Sequence, residues 1–233
     1  MTIAGEKSGG KSGGCLIPSI VQIEIGREAV IVRAERPLTA VSSAVVGGGL
    51  GRASAVVNVH VPKNFRSEHA DRVLTEFVSR RSIPAPWVGL LTGARTENAE
   101  IATEVMDGIT ATAIVTVGLS NTASAGRSAV AAWRPSTINT ILVVDAAAAP
   151  AALVNLVMTV TEAKVMAMAE AGVRTADGDL ASGTSTDALV VAVTGGGRRC
   201  EFGGPVSDLG YAAARAVRTA LSAGIDRWIR EHA

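Results

Sequence analysis

Lys164 is the residue whose type and position point most directly to chemistry. The segment PAALVNLVMTVTEAKVMAMAEAGV, residues 150–173, has helical spacing. At about 100° per residue, Leu153, Leu156, Val157, Val160, Ala167 and Ala171 fall on one stripe, with Lys164 near its middle. An unpaired ammonium on an apolar stripe costs far more than a surface helix recovers. The amine must therefore reach out to solvent, pair with a carboxylate or face a polar cavity, and only the last makes it part of a site. Glu162 lies about 160° away around the same helix, so the two do not pair within it.

Other polar residues collect where apolar runs end: Ser42 and Ser43, Asn58 and His60, Thr92, Ser120 and Asn121, Asn139, and Thr184 to Asp187. Strand ends of a covered sheet hold side chains rigidly beside a cleft. Amide hydrolysis without a metal needs a hydroxyl, a group that manages its proton and an oxyanion hole, which Thr, Lys and Asn or Gly can supply. No run of His or Cys has ligand spacing, so no metal site is expected and zinc hydrolysis is the weaker option. Each residue also has a plainer role. Thr92 can bond backbone at a strand end, His60 in VNVHVP can be a solvated imidazole, and Asp187 can cap a turn.

The elements that must position these groups follow from pattern. VQIEI and AVIVRAE read as a hairpin around Gly26-Arg27-Glu28, which Pro37 interrupts. LTAVSSAVV leads into the glycine run 47–51, and ASAVVNVHV is a strand ending at Pro62. Helical spacing from Ser67 and Glu68 to Arg81 puts Val73, Leu74, Phe77 and Val78 on one side, with a serine at the N-cap. Trp87 to Leu91 is a buried strand ending at Thr92-Gly93. AEIATEVM and ITATAIVTVGL form a second hairpin across Asp107-Gly108, a dipeptide that favours a type I′ turn. Residues 120–136 and 195–204 read as loops, TINTILVVD as a strand, and Leu209 to His232 as a closing helix. Many strands and three helices in irregular order predict an α+β layered domain.

Composition narrows the partners. Of 233 residues, 48% are hydrophobic, ample for a core, whereas 18% are charged with a net charge of +1. That balance leaves no phosphate-backbone footprint and no basic membrane face, so neither nucleic acid nor a membrane is an expected partner. Asp145, Pro150, Asn155 and Glu162 break the longest apolar stretches short of bilayer length, and no secretory leader pattern opens the chain. Cys15 and Cys200 stand far apart, as reduced cytoplasmic thiols do. Gly5 to Ser12 matches the letters of a phosphate-binding loop, which would make this an NTP-dependent enzyme. Such a loop must leave a buried strand and enter a helix. Here only Met1 to Ala4 precede it, and Gly13, Gly14 and Pro18 follow. Residues 1–14 therefore read as a disordered Gly/Ser/Lys tail and residues 15–233 as a single domain.

Seven segments together carry a resemblance: SSAVVGGGLG, VNVHVP, VGLLTGA, VTVGLSN, TINTILVVD, TEAK and GTSTDALVVA. In number and order, from about Leu38 to Val193, they resemble the adenosylcobinamide amidohydrolase family. The resemblance implies a cytoplasmic enzyme of corrinoid salvage that hydrolyses the amide joining aminopropanol to the corrinoid, yielding adenosylcobyric acid. The cobalt belongs to that substrate, so no cofactor is expected; a homo-oligomer is left open. The chain is more distantly similar to the superfamily of self-processing aminopeptidases and ornithine acetyltransferases, which implies an αββα sandwich with mixed or antiparallel sheets covered by helices. By that placement Thr92 is the candidate nucleophile, while Ser185 and Asp187 occupy a loop that lines the superfamily's active site. The self-cleaving Gly-Ser/Thr junction is absent at Leu91-Thr92, so the attacker is Thr92 or a water.

The expected catalytic set is Thr92, Lys164, Asn121, Ser185 and Asp187. In it Lys164 activates the attacker or stabilises the anion, and Asn121 with backbone N–H groups receives the oxyanion. Gly48, Gly49, Asn58 and His60, with Asn139 and Thr186, are the expected substrate-binding residues, because glycine lets a broad planar ligand approach backbone. A non-catalytic corrinoid-binding module is the alternative.

Overall fold

The computed structural model describes residues 21–62, 64, 65, 67–130 and 136–233. The tail with its phosphate-loop letters, and Cys15, lie outside the described residues. Strands β1 (Val21–Ile25) and β2 (Ala29–Ser42) form the expected hairpin, and β3 (Gly49–His60) follows the glycine run. Helix α1 (Ala70–Arg80) buries Ala70, Leu74, Phe77 and Val78. A 3-10 turn, Ser67–His69, leads into it, so the cap position falls on His69 without a side-chain bond rather than on a serine.

Strand β4 (Trp87–Thr92) precedes the hairpin of β5 (Glu100–Met106) and β6 (Ile109–Val117), whose turn has positive φ at Asp107 (45°) and Gly108 (75°), as a type I′ turn requires. Then come β7 (Thr122–Ala123), β8 (Ile138–Asp145), β9 (Ala147–Ala148), α2 (Pro150–Glu170), β10 (Gly183–Thr184), β11 (Ala188–Val193), β12 (Arg199–Cys200) and α3 (Asp208–His232). The two segments expected to be plain loops are pinned by short ladders. β7 pairs with β10, and β9 pairs with β12.

Pro37 does not end β2. The register against β3 shifts between Arg33 and Leu38, so the proline stands where the ladder is already interrupted and its missing N–H removes no bond. This irregularity divides β2. On the edge away from β3, β1 takes residues 30–34 and β11 takes residues 39–42. The path continues from β11 to β8 (parallel), β6 and β5 (antiparallel), while β4 lies parallel to β3.

Strand alternation then builds the layers. Val30, Val32, Val56, Val88 and Leu90 from one half of this path share a core with Ile114, Ile141, Val143, Val190 and Ala192 from the other half, so the two halves stack face to face. The neighbours of opposite parity point outward. Ile31, Val57 and Val59 meet Leu74, Phe77 and Val78 of α1. Ala111, Ala113, Leu142, Val144 and Val191 meet Leu156 and Val160 of α2 and Ala213 and Val217 of α3. The result is the expected four-layer αββα arrangement of an α+β protein.

By length and composition α2 could cross a bilayer; in the fold, one face of it packs into the sandwich. Its buried residues, Ala152, Leu153, Leu156, Thr159, Val160, Ala163, Ala167 and Met168, form a wider stripe than apolar counting marks. The Gly203 carbonyl, which accepts the Thr159 hydroxyl at 2.9 Å, and α3 cover the extra flank. Lys164 therefore stands at the margin of the stripe and not in its middle.

Helix α3 starts at Ser207, whose hydroxyl accepts the Gly210 N–H at 3.1 Å. Its first turn rests on the loop before it. A Cβ at Gly210 would overlap the Gly204 carbonyl and lie 2.6 Å from the Gly203 oxygen, whereas a Cβ at Gly204 meets nothing within 4 Å. Gly210→Ala is expected to lower the urea midpoint by the equivalent of about 1–3 kcal/mol. Gly204→Ala is expected to stay within about 0.5 kcal/mol of wild type. Equal midpoints for the two variants would show that the close approach is not needed.

Candidate active site

The Lys164 amine finds its partner in another element. Its Nζ is ion-paired with Asp187 Oδ2, and each side chain is only 16% exposed. Asp187 ends the GTSTD turn just before β11. Its other oxygen, Oδ1, accepts the N–H groups of Ile138 and Thr184, both at 3.1 Å, and the Thr184 hydroxyl. Four donors thus converge on one carboxyl group. Asp187 caps its turn and also orients the lysine. Gly183 makes the pair possible, since a Cβ there would overlap Asp187 Oδ2 and lie 2.7 Å from Lys164 Nζ. The Lys164 amine donates into that carboxylate and keeps further N–H groups to offer to an anion.

Three cavities ring this end of the sandwich. One of about 330 Å³ is walled by Ser42, Ser43, Thr140, Val157, Thr161, Lys164, Asp187 and Leu189. A second of about 270 Å³ shares Ser43, Asp187 and Ala188 with the first and is floored by Thr137, Ser185 and Thr186. The third, about 800 Å³, meets the second at Gly93 and has Asn121 on its wall. The Asn121 amide donates to the Ser185 hydroxyl at 2.7 Å, joining the rims of the second and third cavities.

Between the sheets, behind these cavities, lies a closed polar network. Asn139 donates to Asn58 Oδ1 at 2.8 Å and to the Leu91 carbonyl at 2.9 Å, and Asn58 donates to the Thr116 hydroxyl at 2.9 Å. The Thr137 hydroxyl stands 2.7 Å from the Thr186 carbonyl and 3.1 Å from Asn139 Oδ1, which share its single proton. Asn58 is 2% and Asn139 1% exposed. Their amides are engaged by protein groups from both sheets and line none of the three cavities. Expected to bind substrate, they stand between the sheets, bonded to each other and linked through Thr137 to Thr186 and through the Leu91 carbonyl to the end of β4.

The remaining expectations divide. Lys164, Asp187, Ser185, Thr186 and Asn121 come together around adjoining cavities. Thr92 does not reach them: its side chain is buried, its oxygen accepts the Ala94 N–H at 3.0 Å, and it lines none of the three. That is the plainer strand-end role. His60 is exposed and donates from Nδ1 to the Ala94 carbonyl at 2.8 Å, tying β3 to the segment after β4. Gly48 and Gly49 also lie outside the cavities. They form the reversal between β2 and β3, where a Cβ at Gly48 would lie 2.6 Å from the Ala44 carbonyl and Gly49 has a φ of +87°. Ser43 gains importance. It stands on the wall common to two cavities, its hydroxyl accepting the Leu189 N–H at 3.0 Å. A serine at a strand end was the only sequence signal for it. Cys200 is no rival nucleophile, because burial pushes its thiol pKa above the ordinary range. Among the described residues no three or more His, Cys, Asp or Glu side chains converge to hold a metal ion.

Comparison with known proteins fits this geometry to a family. Residues 18–233 match the family model described as adenosylcobinamide amidohydrolase. The chain is 30% identical over 187 residues to a protein of that name from Methanosarcina mazei, covering 80% of this chain and 82% of the relative. It is 32% identical over 193 residues to another from Halobacterium salinarum, covering 77% of each. Among solved structures, a Burkholderia sp. beta-aminopeptidase overlays with a TM-score of 0.46 at 14% identity, over 86% of this chain and 79% of that one, a likeness too loose to bear on the site.

The network between the sheets makes a stability prediction. Asn139→Ala strips the Asn58 oxygen and the Leu91 carbonyl of a donor inside the protein, which costs about 1–3 kcal/mol for each unsatisfied group. Urea denaturation is expected to show a loss of about 2–6 kcal/mol for the two groups together. An unchanged midpoint would mean that the two sheets are not held together by this amide.

Proposed function

Because the chain belongs to the adenosylcobinamide amidohydrolase family, we propose that it hydrolyses the amide joining aminopropanol to the corrinoid of adenosylcobinamide, as a cytoplasmic step of corrinoid salvage. The products are aminopropanol and adenosylcobyric acid. The cobalt ion arrives and leaves with the substrate, and the protein contributes no cofactor of its own. One observation carries this reading: Lys164 lines one cavity and is ion-paired with Asp187, which lines that cavity and the adjoining one.

The chemistry runs through charge stabilisation. The amide carbonyl lies against Lys164, whose protons not engaged by Asp187 take the developing oxyanion, in a recess that keeps bulk water from weakening the interaction. Water, not Thr92, is the attacker, since the Thr92 oxygen is enclosed behind the cavities. Ser185 and Ser43, on the adjoining walls, orient that water. As the C–O bond forms, the water's proton passes to the amide nitrogen. The C–N bond then breaks, the water's second proton passes from the new carboxyl group to the departing amine, and aminopropanol leaves as its ammonium while the corrinoid keeps a carboxylate. Asn121 acts through Ser185, to which it donates. Asp187 needs no proton change, because its role is to hold the ammonium in place.

Release of aminopropanol from adenosylcobinamide, followed by mass spectrometry, tests the reaction. Wild type is expected to release it, whereas binding of the corrinoid without release would make the protein a carrier. Lys164→Met is expected to lower kcat by about 10²–10³, the usual loss when one oxyanion donor is removed. Undiminished turnover by a folded Lys164→Met variant excludes the role. Gly183→Ala leaves both charged residues in place yet forces them apart, so it is expected to lose activity by about tenfold or more. Full activity in that variant would show that the pair's geometry does not matter.

A further inference from the structure

We infer that the largest of the three cavities, under the last turns of α3, holds the corrin macrocycle, with the aminopropanol arm reaching from it past Gly93 toward Lys164; this rests on the function proposed above. Size comes first. A corrin with its ring of amide arms cannot enter the cavities of about 270 and 330 Å³, whereas about 800 Å³ suits most of a large ligand.

The lining matches the chemistry of such a ligand. Trp228 is half-buried against the core, and His232 stacks on it with ring centres 4.1 Å apart and planes 11° from parallel, so a stacked aromatic pair stands on the cavity wall for a broad conjugated ring to pack against. Peripheral acetamide and propionamide arms offer carbonyl acceptors and N–H donors and carry no charge, so they call for a rim with both kinds of partner. The rim has both. Arg95 is exposed, with no carboxylate of the described residues within ion-pairing distance, and Glu231 accepts the Asn98 amide at 3.2 Å with a second oxygen still to use.

Continuity with the reaction site follows. Gly93 borders both this cavity and the one floored by Ser185 and Thr186, and the Asn121–Ser185 bond forms the sill between them. A ligand seated under α3 therefore extends a side arm over that sill toward Asp187 and Lys164. Gly48 and Gly49, the wall expected from the sequence, line none of the three cavities.

Equilibrium dialysis followed by corrin absorbance tests the placement, using adenosylcobinamide and adenosylcobyric acid, which share the macrocycle but not the arm. Ser120 is an exposed residue on the cavity wall, so Ser120→Trp fills the space without removing core packing. Both Ser120→Trp and Trp228→Ala are expected to weaken binding of the two corrinoids alike, by about tenfold or more, and Leu50→Ser on the glycine turn is expected to leave it unchanged. Wild-type binding by folded Ser120→Trp overturns the placement while leaving the reaction intact. A wild type that binds both corrinoids, loses them on Ser120→Trp, and releases no aminopropanol supports the placement and fails the reaction. A wild type that binds neither corrinoid overturns both.

Discussion

The Asp187 carboxylate is the point on which the site depends. It gathers donors from three elements: the Lys164 ammonium of α2, the Ile138 N–H of β8, and the N–H and hydroxyl of Thr184 in β10. A carboxylate so largely removed from water is costly to charge unless its oxygens are satisfied, and here they are. The same arrangement explains Gly183, which leaves room for the pair, and the turn that delivers Ser185 and Thr186 beside it. A half-buried ion pair of this kind contributes modestly to net stability, because the desolvation of two charges offsets much of their attraction. Its value is positional. It fixes one proton-rich group on the wall of a cavity, through a carboxylate that also borders the neighbouring one.

A second constraint lies deeper. Two stacked sheets normally bury apolar faces against each other, and most of this interface does so through Val30, Val56, Ile141 and Val190. At the end nearest the cavities the apolar pattern gives way to Asn58, Thr116, Thr137 and Asn139. Their side-chain bonds run across the interface and fix the relative placement of β3, β4, β6 and β8. Hydrogen bonds are directional where apolar contact is not, so this end of the sandwich is held in one register. The irregularity at Pro37 serves the same end. It lets one long strand belong to both sheets, so that β11, which Asp187 immediately precedes, lies beside the end of β2 at Ser42, which Ser43 follows.

Part of this was legible in order along the chain. The β5–β6 hairpin follows from Asp107-Gly108 between alternating runs, and α2 from its spacing, because turn chemistry and helix periodicity depend on neighbours a few residues apart. The lysine's oddity was legible for the same reason. Its place at the margin of the buried stripe was not, since alanine and threonine give weak apolar signals and the flank they form is closed by a distant loop. Asn58, Asn139 and Thr92 stood out as polar residues at strand ends. Whether such a residue faces a cleft or a second sheet depends on what packs over it, and here a sheet does.

Sequence by itself determined the class of fold, the main strands and helices, the misplaced ammonium of Lys164 and the Ser/Thr-rich turn ending at Asp187, because each rests on local spacing and residue chemistry. Tertiary structure alone decided that these two meet across 23 residues, that Asn58 and Asn139 bond across 81, and that the roomiest cavity lies under α3 and not at the glycine turn. Those outcomes follow from which faces stack once the chain has folded. Strand alternation says that a side chain points to one face or the other, but only the packed layers determine what stands opposite it.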